Sequence, residues 1–157
     1  MADETGHKPA LQEVSSSLRE VHRALVKTVS AAYEALHGPS GGPSGLLRLL
    51  TEDPFFAWLH PMSELIVDLD SLLAQELLPS GTVAAVRLEV DRLTSAGGAA
   101  FWEKYAPQLQ TEPGVAIAHG RLKQALKALP LAAPGEGLHD RKGWVTPRVH
   151  TRRGNRN

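Results

Sequence analysis

"PALQEVSSSLREVHRALVKTVSAAYEALH", residues 9–37, decides the fold class. Its apolar positions are Leu11, Val14, Leu18, Val21, Leu25, Val29, Ala32 and Leu36. Every step between them is three or four residues, which puts all eight on one stripe of an amphipathic helix. Pro9 suits the first helical turn, where a missing N–H is no loss. At the far end Gly38 fits a left-handed cap and Pro39 cannot continue a helix. "HGPSGGPSG", 37–45, is therefore expected to be a loop.

The pattern repeats downstream. "LLRLL", 46–50, reads as a short apolar turn or helix. "DPFFAWLHPMSELIVDLD", 53–70, opens on a strong start signal, Asp53 as a cap and Pro54 at the first position. A helix from Pro54 would hold Pro61 in its interior, where it removes the bond to the Ala57 carbonyl and disfavours helical geometry at His60. The stretch is then one kinked helix, or two with the second beginning at Pro61. The bend is read as chiefly structural. Leu65, Ile66, Leu69, Leu72 and Leu73 line one face to about Leu78, and Val83, Val86, Val90 and Leu93 follow Ser80 as another helix. "SAGG", 95–98, breaks that helix. The next is helical at least to Ala106, and Thr111 is the expected cap of a last one carrying Val115, Ala118, His119, Leu122, Leu126 and Leu129.

From Pro130 onward no period survives, and Gly, Pro and Arg dominate. The expectation is an all-α bundle of four to five main helices over 9–129, with a kinked helix at Pro61. A flexible leader, 1–8, precedes it and a disordered basic tail, 130–157, follows.

Bulk numbers agree with a single soluble domain: 157 residues, 42% apolar and 22% charged. The chain has no cysteine, which excludes disulfides, thiolate metal sites and cysteine nucleophiles. The polar N-terminus has no signal-like apolar core, and no run reaches the roughly 18 apolar residues that span a bilayer. The default location is the cytoplasm. The net charge is zero, but residues 138–157 hold six Lys/Arg against Asp140 alone. The body is correspondingly acidic.

Three constellations could carry chemistry. His22 lies beside the apolar stripe of the first helix and His119 on that of the last, so the two could converge on a metal ion or heme. Glu34 and His37 form a Glu-x-x-His unit, which recurs in di-iron bundles, but no second helical copy exists. His60, Glu64 and Asp68 are spaced i, i+4, i+8, and Glu64 joins His22, His37, His119 and Glu34 as a candidate metal ligand. In the tail, Arg141, Lys142, Arg148, Arg152 and Arg153 with Trp144 form a candidate nucleic-acid site, the cations for phosphates and the indole for a base. Nucleophilic catalysis has little support, since Ser15, Ser16 and Ser17 fall on the outward or N-terminal part of the first helix with no nucleophile elbow. "GPSGGPSG" lacks the Lys-Ser/Thr and preceding strand of a phosphate-binding loop. No reaction can be named, and the chain is read as non-enzymatic.

"LREVHRAL" (18–25), "YEALHGPSGGPSGLLRLLTEDPFFAWLHPMSELI" (33–66) and "GVAIAHGRL" (114–122) resemble a group of uncharacterised small bacterial all-helical proteins. The resemblance implies a bacterial cytoplasmic protein and supplies no activity, cofactor or catalytic residue. The tail lies outside it.

The leading functional expectation is a helical bundle that binds a protein partner, or itself as a homo-oligomer, through an apolar helix face. The tight spacing of the first helix resembles a seam for another helix. No membrane partner and no cofactor are expected. Metal or heme binding through core histidines is the alternative, and nucleic-acid association through the tail is the third reading.

Overall fold

The computed structural model describes residues 6–131 and Trp144. Among the described residues six helices pack together: α1 (His7–His37), α2 (Gly42–Glu52), α3 (His60–Leu73), α4 (Ser80–Leu93), α5 (Ala100–Thr111) and α6 (Pro113–Leu126). Short 3-10 helices occupy Pro54–Leu59 and Ala96–Gly98. No strand occurs among the described residues.

The sixth helix is α2, half of whose first turns come from the stretch expected to be a loop. Gly41 takes a left-handed conformation, φ 92°, and reverses the chain. Pro43 then stands in the first turn, where its missing N–H is harmless. Glu34 closes the connection from the other side, its carboxylate accepting from the Ser40 backbone N–H at 3.2 Å and the Ser40 hydroxyl at 2.8 Å.

Pro61 does not kink a helix. The 3-10 helix Pro54–Leu59 comes first, capped by the Asp53 carboxylate accepting from the Phe55 N–H at 2.8 Å. A separate α-helix then starts at His60, with Pro61 in its first turn. That solution leaves no interior hydrogen bond missing. His60 nevertheless keeps helical angles, φ −56° and ψ −40°, against the usual pre-proline bias. Its ring Nε2–H donates to the Leu50 carbonyl at 2.9 Å, which also satisfies a free carbonyl in the last turn of α2.

α1 is the central element. α6 and α3 pack along it, α4 touches both α1 and α6, and α5 lies on α6. The buried stripe of α1 is Leu11, Val14, Leu18, Val21, Leu25 and Val29, as the spacing requires. Ser15 and Ser17, in the N-terminal part of α1 as one of the two expected placements had it, are buried as well, while Ser16 faces outward. Polar ties hold the helices in register: Arg19 with Asp70 between α1 and α3, Arg121 with Glu20 at 3.4 Å between α6 and α1, and Lys123 with Asp91 at 2.7 Å between α6 and α4. All are solvent-accessible and contribute little to stability beside the core.

α5 continues past Ala106 to Thr111 with Pro107 inside it, and Glu112 rather than Thr111 precedes α6. Of the expected tail, only Pro130, Leu131 and Trp144 are described. Trp144 is 2% exposed and belongs to the main core cluster. Its carbonyl accepts from Gln75 Nε2 at 3.1 Å, near the end of α3. No described helix is long and apolar enough to cross a membrane.

Candidate interaction groove and the histidine positions

The α1 stripe is longer than the body that covers it. Its first six members are buried, but Ala32 is exposed and Leu36 is 71% exposed. No residue of α1 after Val29 is buried, and no residue of α2 is. The end of α1 and the whole of α2 thus carry Tyr33, Leu36, Leu46, Leu47, Leu49 and Leu50 without a single fully covered side chain. Leu47 is 63% exposed. An 11-residue helix has little stability by itself and depends on such apolar contacts.

Where the stripe leaves the body it forms one wall of a groove of about 480 Å³. Thr28, Val29 and Ala32 line it from α1, Phe55 and Trp58 from the 3-10 helix, and Pro107 from α5. Glu103, Lys104 and Gln108 supply its polar side. Aromatic contacts brace the floor. Tyr33 meets Phe55 edge-on at 5.5 Å and Phe56 at 5.5 Å, while Trp58 meets Phe101 at 5.5 Å. Phe55, Phe56, Trp58 and Leu59 therefore close one end of the bundle, with Phe55 and Trp58 only half-covered.

The histidines are distributed rather than gathered. His22 Nε2 lies 2.8 Å from Ser63 Oγ on α3. His119 Nδ1 lies 2.7 Å from the Tyr105 hydroxyl on α5. His37 lies against Tyr33 with the rings tilted, 4.6 Å between ring centres, at the exposed end of α1. Glu34 is engaged with Ser40, and Glu64 is exposed on α3. Among the described residues no group of three His, Asp or Glu side chains is placed to hold a metal ion. The tail cations Arg141, Lys142, Arg148, Arg152 and Arg153 lie outside the described residues. Trp144 is the one member of that set with a described position, and its indole faces the core.

Burial decides the protonation of the two core-edge histidines. His22 is held below the ordinary imidazole range, by desolvation first and by the Arg19 charge second. His119 is lowered by desolvation and by Lys123, against the opposing pull of Asp91. Burial pushes the Tyr105 phenol well above its usual range. Tyr105 therefore keeps its proton, and its O–H donates a hydrogen bond to His119 Nδ1.

The groove was legible in the sequence only in part. The α1 stripe was visible to Leu36, but nothing in it marks where coverage ends. The contribution of Pro107 and Gln108 depends on α5 continuing through a proline. No protein-family model matches this chain, and no curated protein or solved structure matches it. The chain stands as an all-helical protein with no family or homologue identified.

Proposed function

We propose that this protein is a non-enzymatic helical module that binds a protein partner through the uncovered end of the α1 stripe and the adjoining groove. The observation that carries the reading is the stripe itself, whose periodicity runs unbroken to Leu36 while its burial stops at Val29. Scattered exposed leucines are ordinary on a protein surface. A core seam that runs on through Val29 and Ala32 along a groove walled by Phe55 and Trp58, with Leu36 exposed beyond it, has the form of a helix-in-groove site. A second copy of the chain is the first occupant to test, because one exposed apolar patch can meet its own copy across a two-fold axis.

Sedimentation velocity across a wide concentration range tests this. The native chain is expected to dimerise as concentration rises, and Leu36→Glu to remain monomeric with unchanged circular dichroism. A native chain that stays monomeric throughout, with concentration-independent Leu36 and Trp58 resonances, removes self-association.

A further inference from the structure

A second hollow, of about 400 Å³, opens on a different face of α1, against α2 and α3. Its size falls within the range of small-molecule pockets. The chemistry of its wall is divided. Val26, Leu50 and Ile66 make an apolar side. Opposite them stand Arg19, His22, Arg23 and Ser63. Spacings of three and four residues put Arg19, His22, Arg23 and Val26 on one face of α1.

The charges of this wall are unequal in availability. Arg19 is matched by Asp70 through two contacts to its carboxylate. His22 is held neutral by its burial and by Arg19, and it is bonded to Ser63. Arg23 has no ion pair among the described residues and is exposed at the rim. The hollow therefore offers one uncompensated positive charge, a hydroxyl–imidazole pair beside it, and an apolar side. One cation suits a monoanion better than a dianion such as phosphate. The apolar side calls for a ligand that is more than a charged group.

We propose that this hollow binds a small organic monocarboxylate, its carboxylate on Arg23 beside the His22–Ser63 pair and its hydrocarbon tail on Val26, Leu50 and Ile66. The guanidinium fork matches a carboxylate in two parallel hydrogen bonds. Ser63 presents a hydroxyl that can turn from its long 3.4 Å bond with the Leu59 carbonyl toward the ligand. The site is separate from the groove proposed for a protein partner, which uses Thr28, Val29 and Ala32 of α1.

Methyl-detected NMR titration of the full chain with octanoate, octanol and inorganic phosphate tests the assignment. Octanoate is expected to shift the methyl signals of Val26, Leu50 and Ile66, and to bind at least tenfold more tightly than octanol. Arg23→Gln, at an exposed position that leaves the fold intact, is expected to weaken octanoate about tenfold and leave octanol unchanged. Arg23→Lys should recover part of the loss. Equal binding of octanol, equal binding of phosphate, methyl shifts confined to Val29, Ala32 and Leu36, or indifference to Arg23→Gln would each overturn the proposal.

Discussion

Ala99 shows strain concentrated in one residue. It precedes α5 with φ 52° and ψ −121°, a backbone region that glycine occupies and alanine resists. Its neighbour Gly98 is the opposite case, since an added Cβ would stand 2.4 Å from the Leu93 carbonyl oxygen. The turn needs Gly98 to be free of a side chain, and it holds Ala99 at a positive φ. Ala99→Gly is therefore expected to raise stability by about 0.5–1 kcal/mol, the relief of strain outweighing the added freedom of the unfolded chain. Urea denaturation measures it, and a lower midpoint would show that the turn is relaxed as it stands.

α2 shows how an element with no buried residue stays folded. Its leucines are only partly covered, and its contacts run chiefly to the 3-10 helix Pro54–Leu59. The imidazole of His60 fastens its last turn through the Leu50 carbonyl. His60→Ala is expected to release that carbonyl, lower stability by about 1 kcal/mol and raise amide exchange across residues 42–52. Exchange that rises uniformly over all six helices would place the loss in the core instead. Reading His60 as a ligand candidate from its spacing to Glu64 and Asp68 had no access to this partner, which sits ten residues back in a helix not counted among the main ones.

The whole molecule responds to acid through its two core-edge histidines. Unfolded imidazoles take up protons as pH falls through about 6.5. Folded His22 and His119 resist protonation until lower pH. In that window the unfolded state binds more protons, so stability falls on acidification and is regained as pH rises. The melting temperature is expected to drop between neutral pH and about pH 5. In a His22→Gln, His119→Gln double variant the drop should be visibly smaller. An identical slope in both proteins would assign the effect to other groups. Trp144 makes a separate contribution, joining a distant part of the chain to the core beside Gln75. Trp144→Ala is expected to lower stability by about 3 kcal/mol, as for other large core truncations. Chemical denaturation reads this directly, and a change near zero would mean that the indole contributes no net packing.

Periodicity determined the helical class and the core, because a stripe with steps of three and four has one way to be buried. Leu11 through Val29, Leu65 through Leu72, and Val83 through Leu93 lie inside as their spacing demands. Proline and glycine marked the breaks for the same local reason, the loss of a donor or the freedom to take positive φ. Local rules did not choose between a kink and a restart at Pro61; in the fold the Ala57 carbonyl accepts from the His60 backbone N–H at the end of the 3-10 helix, and the α-helix starts at His60. Nor did they show that coverage of the α1 stripe stops at Val29, that His22 and His119 pair with Ser63 and Tyr105, or that Trp144 is drawn into the core. Each of these depends on which element arrives opposite, and that is settled only when the helices pack.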